Sequence, residues 1–483
     1  MARSACIHPS HQSTVSLALE RNGFLTQGSL AAHLEIALST VNNFCRGVKV
    51  SVAKFEEICE ALGLEARALV LPASGQISSK DAPEAIATTA SPPDSGDRAL
   101  DVSSFFAYDA AWVGREDITQ ALAAQLEGEV RLMMIVGIAG VGKTALAERL
   151  VLEAGQRLIR LNFDHQEQIS DFGSVAAQLL EKCGQPVTSE ARQNPQQLRQ
   201  MLFRHLQAGE YLILIDSLEA LLTGDETGES QFEDEAYLAF FQQVLSAEAF
   251  SSRILLTSQE LPAELLRFGT RYQNFWHYHG LTGLLESEQR SLFLKLGFDL
   301  DADGRDLMRI GKAYEGHPLA LRIITGEIGS RPFFGNARAY WNRYGKEIEE
   351  VERSLAEAAA GNVSGAEDKW ALDRFTRALR RNVQHRLEQT FERLERDARM
   401  AYVLLCEASV YRCPVPEDWW LSHLEYWEAD QAAQAAAVDA LRDRFLVEEM
   451  VEGEEYQLKQ HNLIRSVALD RLRKLSFDGE VAT

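Results

Sequence analysis

Eight consecutive residues, Gly137-Ile138-Ala139-Gly140-Val141-Gly142-Lys143-Thr144, follow the pattern G-x-x-x-x-G-K-T. Glycines let a backbone wrap a phosphate without Cβ clashes, so that its N–H groups donate to the phosphate oxygens. A helix that starts at Thr144 and Ala145 points its positive end at the same anion. Lys143 would reach the β- and γ-phosphates of a nucleotide, and the Thr144 hydroxyl would ligate Mg²⁺. Downstream, the apolar run Leu212-Ile213-Leu214-Ile215 ends on Asp216. A carboxylate at the end of a buried strand is costly unless a cation or donor meets it. Asp216 therefore fits the residue that holds the water shell of Mg²⁺ beside Thr144. Glu219, three residues on, is the candidate for polarising a water, or else the first exposed acid of the next helix.

These motifs need a scaffold, and the flanking pattern supplies one. Leu132–Val136 is a short apolar run that leads straight into the glycines, and a helical stretch follows from Thr144 to about Glu153. Further apolar runs at Leu158–Phe163, Tyr211–Ile215 and Arg253–Thr257 read as strands, with helical segments near Val175–Lys182 and Pro195–Leu206 between them. Strands alternating with helices predict a parallel sheet covered on both faces, whose buried strands are continuously apolar. The acidic piece Thr223–Glu235 reads as a solvated loop. Beyond Leu281 the chain reads helical, with charged surface helices from Lys346 to Arg399 and two short β-like pieces near Phe445–Glu448 and Tyr456–Leu458. No repeat of 20 to 50 residues is visible.

The 483 residues, 46% of them hydrophobic, are enough for about three domains. The net charge of −22, from 49 basic and 71 acidic residues, argues against a general nucleic-acid binder. Six cysteines, none in a CxxC pair, read as core residues of a reducing compartment rather than as a disulfide frame or zinc site. The opening residues do not read as a secretory leader, and no apolar run reaches the length expected of a membrane span. The expectation is a soluble cytoplasmic protein.

From Trp112 to Ala468 several short boxes occur in an order that resembles the NB-ARC branch of the STAND NTPases. Val113-Gly114-Arg115-Glu116 is similar to the family's VGRE box, whose Val and Arg approach adenine and ribose. Ser252–Ser258 is similar to its sensor strand. Gly316-His317-Pro318-Leu319-Ala320-Leu321 is similar to its GLPL motif, whose Pro packs on adenine. Gln460-His461-Asn462-Leu463 is similar to the MHD motif of its winged-helix domain, whose His contacts the β-phosphate of ADP. Two departures stand out: Gln259 replaces the sensor arginine, and Asn462 replaces the MHD aspartate. The resemblance implies ATP/ADP and Mg²⁺ as ligands. It also implies an ADP-bound closed form and an ATP-bound open form that oligomerises or recruits a protein partner.

Residues 26–47 resemble a helix-turn-helix of the phage-repressor kind. Thr40, Asn42, Asn43 and Arg46 would then face DNA or a protein partner. Residues 1–75 hold six basic and six acidic side chains, a balance that favours a protein-binding adaptor over a DNA reader. The expected organisation is a helix-turn-helix module (1–72), a flexible linker (73–108), an α/β P-loop domain (109–280), a helical domain with connecting helices (281–385), a winged-helix domain (386–475) and a tail (476–483). The reading is a signalling switch, at most a slow ATPase. Its rivals are a nucleotide-gated DNA-binding regulator and a steady-turnover ATPase. Ligand at a hundred times its dissociation constant stabilises a fold by about 2.7 kcal/mol. ADP should thus raise the melting temperature of the wild type and much less that of Lys143→Ala. Equal shifts would show that the phosphate loop is misassigned.

Overall fold

The computed structural model describes residues 4–8, 11, 14–15, 18–19, 22, 24, 27–47, 49–64, 66–70, 112–154, 157–163, 171–224, 230–360, 374–452 and 455–480. The expected linker 73–108 lies outside them. Five parallel strands form the central sheet: β1 (Leu132–Val136), β2 (Arg157–Asn162), β3 (Tyr211–Asp216), β4 (Arg253–Ser258) and β5 (Trp276–Gly280), in the order β2-β3-β4-β1-β5. β1, β3 and β4 are continuous buried runs, because helices cover both faces. The fold is that of a P-loop NTPase, as the sequence predicts.

The register decides where chemistry can happen. Val136 pairs with Ser258 and Gly280, and Asn162 pairs with Asp216. The carboxyl ends of the strands therefore lie along one edge, where open α/β sheets bind ligands. Helix α1 (Glu116–Glu127) precedes the sheet, and α2 (Lys143–Ala154) starts on the phosphate loop.

β5, sequence WHYHG, was not legible as a strand. It is an edge strand on which His277 and His279 are only partly buried, so its pattern alternates instead of running apolar. The piece read as an acidic loop also carries structure: Leu222–Gly224 pairs antiparallel with Ser230–Phe232.

Helices follow the sheet: α3 (Glu286–Lys295), α4 (Leu300–Ala313), α5 (Pro318–Gly329), α6 (Ala337–Ala360), α7 (Arg374–Asp397), α8 (Arg399–Glu407), α9 (Glu417–Glu425) and α10 (Gln431–Asp443). Two strands, β6 (Glu448–Glu452) and β7 (Glu455–Lys459), pair antiparallel, and Val415–Pro416 joins their sheet. The last helix, α11, runs Asn462–Glu480 and so continues into the expected tail. At the other end of the chain two helices, Gln27–Leu34 and Leu38–Cys45, are joined by three residues and followed by a third, Val52–Ala61. No helix of the described residues is long and apolar enough to cross a membrane.

The charged stretch from Lys346 to Arg399 is not all surface. Arg386 is 1% exposed and Arg393 8%. Both guanidiniums meet the buried carboxylate of Glu327 on α5, which also accepts from Thr390 Oγ1 at 2.6 Å and Tyr340 Oη at 3.1 Å. Burial disfavours the Glu327 charge, yet the two arginines hold its carboxyl down at about 2. Five side chains thus tie α5, α6 and α7 together through one carboxylate. Removing one partner of a buried ion pair costs about 3–5 kcal/mol, because the remaining charges stay desolvated. Glu327→Ala should lower the unfolding free energy by that amount in urea titration. A loss under about 1 kcal/mol would mean that the cluster is energetically neutral.

Candidate functional site

One cavity lies at the carboxyl edge of the sheet. Ala139, Gly140, Val141, Gly142, Lys143, Thr144 and Ala145 line it, with Trp112, Val113 and Arg115 from before α1. Pro318, Leu319 and Arg322 line it from α5, and Glu448, His461 and Asn462 from the C-terminal sheet and α11. Ser217, Glu219 and Gln259 complete the sheet side. Among the residues singled out from sequence, Gly137 and Ile138 do not line the cavity. Their carbonyls accept from Lys143 Nζ at 2.9 and 3.2 Å, so they aim the lysine instead.

The loop owes its shape to two glycines. Gly140 has φ +77° and Gly142 φ +99°, in the left-handed region where a side chain is strained. A Cβ on Gly140 would also lie 2.7 Å from Leu319 Cδ2. Arg115 pays the same conformational cost without being glycine, at φ 67°. Contacts hold it there. Its Nη2 donates to Val141 O at 2.9 Å and Thr282 O at 3.0 Å, and its backbone N–H donates to the Glu288 carboxylate. Burial depresses its pKa, against the pull of Glu288, but a guanidinium stays charged. Its Nη1 is buried and has no hydrogen-bond partner, a donor left over beside the phosphate loop.

Asp216 is 1% exposed and lies just beneath the cavity. Its Oδ1 accepts from Thr144 Oγ1 at 2.9 Å and Thr257 Oγ1 at 2.5 Å, and its Oδ2 is 3.3 Å from Arg160 Nη2. Arg160 also pairs with Glu148 at 2.7 Å. Burial raises the Glu148 carboxyl to about 7, although Arg160 opposes this. Thr144 and Asp216 are hard oxygen donors side by side, which suits Mg²⁺ bound partly through phosphate and water. Among the described residues no group of three or more His, Cys, Asp and Glu side chains is arranged to hold a metal by itself.

Glu219 is engaged. Gln259 donates to it twice, from the backbone N–H at 3.1 Å and from Nε2 at 2.8 Å. Gln259, the residue that follows β4, therefore anchors an acid. Any role of Glu219 in orienting water works against that anchor.

His461 caps α11, its Nδ1 accepting from Leu463 N–H at 3.2 Å. That leaves Nε2 as the protonated nitrogen of the neutral ring. Residues that sequence reasoning passed over are Trp112, Arg322, Glu448 and above all His317. The Trp112 ring lies 4.6 Å from the Arg149 guanidinium. Its place directly before the Val113–Glu116 box was the signal.

The N-terminal candidates go elsewhere. Thr40 and Ser39 donate to Asp443 Oδ1 at 2.5 and 2.9 Å, and Asn42 Nδ2 donates to Lys295 O at 2.9 Å. Thr40 and Asn42 are buried, while Asn43 and Arg46 are half-buried. Lys49 lies over the Tyr456 ring at 5.7 Å. Thr40 and Asn42, two of the four residues offered to DNA or a partner, contact their own chain in this arrangement. The sequence could not reveal this, because the contacts span hundreds of residues.

A family model described as an AAA domain matches residues 127–260. Among curated proteins, an uncharacterized WD repeat-containing protein of Nostoc sp. is 25% identical over 342 residues, covering 65% of this chain and 25% of that protein. The chain thus spans about a quarter of the length of the curated relative it matches. Among solved structures, a Signal Transduction ATPase with Numerous Domains (STAND) protein with a tetratricopeptide repeat sensor from Pyrococcus horikoshii is 16% identical with a TM-score of 0.42, covering 74% of this chain and 42% of that one. A Walker-type ATPase of Pyrococcus abyssi is 15% identical with a TM-score of 0.33, covering 74% and 96%. Cdc6p from Pyrobaculum aerophilum is 13% identical with a TM-score of 0.34, covering 76% and 98%.

His317 yields a pH prediction. Burial holds its imidazole down at about 4, against the hydrogen bond to Ala139 and together with the nearby His461, Lys143 and Arg115. In an unfolded chain the ring is protonated below about pH 6.5. Its contribution to stability is therefore full above pH 6.5 and is lost as the pH falls toward 4. The gap corresponds to about 3 kcal/mol. Urea unfolding at pH 7 and pH 4 should show the wild type losing that much of its advantage over His317→Gln. A pH-independent difference would refute the assignment.

Proposed function

We propose that this P-loop NTPase fold serves an adenine-nucleotide switch of the STAND class, with ADP favouring the closed arrangement and ATP an open one that associates with itself or a partner. One observation carries the reading: a single cavity is lined by the phosphate loop, by Pro318 and by His461, from three separate parts of the chain. A ligand that fills it touches all three, and can only shift an equilibrium that changes those contacts. The leftover Arg115 Nη1 and the cluster of Arg115, Lys143 and His461 favour a polyanion there, although the whole chain is strongly acidic. Trp112, Leu284, Leu292 and Pro318 offer an apolar wall for a base.

In this reading the amides of Gly140 to Thr144 and the Lys143 ammonium bind phosphate. Val113, Arg115 and Pro318 position the nucleoside, and His461 donates from Nε2 to the β-phosphate. Bound Mg²⁺ would supply charge neutralisation at the phosphates, held by Thr144 with Asp216 behind it. Slow turnover is expected. Gln259 supplies no charge at the sensor position, and it occupies both carboxylate oxygens of Glu219. The rival reading, a nucleotide-gated DNA reader, would have to free Ser39, Thr40 and Asn42 from the chain first.

A hydrogen bond to a charged group is worth about 1.5–3 kcal/mol. His461→Ala should therefore release ADP about tenfold to a hundredfold faster in a stopped-flow chase, and should self-associate more readily with ATP. Purified wild type should retain ADP, seen on acid extraction, and hydrolyse ATP far below about 10 per second. Wild-type off-rates in the mutant, with the protein monomeric in ATP, would end the switch assignment of His461. Brisk unstimulated hydrolysis would end the switch reading as a whole.

A further inference from the structure

We propose that the first turn of α5 clamps the phosphate loop, and that His317 is a positioning residue for polyphosphate recognition through the Ala139 carbonyl. The proposal rests on the nucleotide reading above and names the part of the chain that sets the loop for it. His317 is 1% exposed and does not line the cavity. Its Nε2 lies 2.9 Å from Ala139 O, and its Nδ1 accepts from Ala320 N–H at 3.3 Å as the cap of α5. A neutral imidazole has one donor and one acceptor nitrogen. With Nδ1 accepting, Nε2 carries the proton and donates to the loop.

The consequence follows from peptide geometry. In a planar trans peptide the C=O and the following N–H point in opposite directions. Holding the Ala139 carbonyl on the His317 side turns the Gly140 N–H to the other side. Leu319 N–H reaches Gly140 O at 3.4 Å, so two consecutive loop carbonyls are held from one helix start. The contact leaves no slack. A Cβ on Gly140 would sit 2.7 Å from Leu319 Cδ2 and 3.0 Å from His317 Cε1. The neutral ring is favoured by burial and by the cations nearby, Lys143 and Arg115. α5 is itself fixed at its far end by Glu327 to Arg386 and Arg393 on α7. A phosphate pulling on the loop therefore pulls on a rigid helix and not on a free turn.

Calorimetric titration of the full chain with Mg²⁺-ADP and with adenosine separates the possibilities. His317→Phe fills the space but cannot donate, whereas His317→Gln keeps an N–H donor. The Phe variant should bind ADP about tenfold more weakly while adenosine affinity stays unchanged, and the Gln variant should recover most of the ADP affinity. Parallel losses for ADP and adenosine, or unchanged ADP affinity in the Phe variant, would overturn the clamp. ¹⁵N-histidine NMR of the wild type gives a second readout that survives a poorly folding variant. His317 should show the Nε2–H tautomer and not titrate above pH 5. An Nδ1–H tautomer, or titration near the usual value, would overturn it as well. A wild type that binds neither ligand would sink the nucleotide reading itself, while the tautomer readout would still decide the hydrogen bond.

Discussion

A loop that turns its amides inward must turn its carbonyls outward, and buried carbonyls need donors. That constraint organises this structure. Gly137 O and Ile138 O accept from Lys143, Ala139 O from His317, Gly140 O from Leu319 N–H, Val141 O from Arg115, and Gly142 O from Leu146 N–H. The donors come from the segment before α1, from α2 and from α5. The loop's conformation is therefore a property of the assembled chain, and the residues resembling the VGRE and GLPL boxes both serve it. α5, whose start supplies the donors His317 and Leu319, also reaches other parts of the chain. Gly326 of α5 packs against the backbone of Arg444, and Gly329 lies near Leu38 and Ser39 of the N-terminal helices.

Beneath the loop the electrostatics are equally closed. Asp216 meets two hydroxyls and one guanidinium, and that guanidinium is shared with Glu148. The positive charge beside Asp216 thus comes from β2, on the opposite side of β3 from β4. Asp216 is buried while Arg160 is a quarter exposed, so the pair interacts more strongly than two surface charges do. These contacts hold the carboxylate in one orientation.

What could be read in advance divides by range. The phosphate-loop motif, the acid at the end of β3 and four of the five strands were legible because each is a short local pattern, although the partners of Asp216 lie 41 to 72 residues away. Val113, Arg115, Pro318 and His461 line one cavity, and their only sequence signal was an ordered series of short boxes. His317 stood in plain view before Pro318, yet its partner lies 178 residues away and no local pattern announces it. β5 was hidden by its edge position. Arg386 and Arg393 read as surface charge because a sequence does not show a buried Glu327 waiting for them. The contacts of Thr40 and Asn42 were hidden for the same reason: polar residues on a short helix look outward until the distant Asp443 and Lys295 are brought to them.

That last contact sets the terms on which any outside partner meets the N-terminal helices. Asp443 is buried, with its carboxyl pushed up to about 6 by desolvation, and it accepts from two hydroxyls of the helix Leu38–Cys45. It acts as a ligand that the chain carries for itself. A covalently tethered ligand is present at an effective concentration of about millimolar. An external protein or nucleic acid must outcompete it, so its apparent affinity for the whole chain is the intrinsic affinity multiplied by the small fraction of molecules in which the helix stands undocked. Changing the docked contact alone would then change how accessible these side chains are, without touching the helix's outward chemistry.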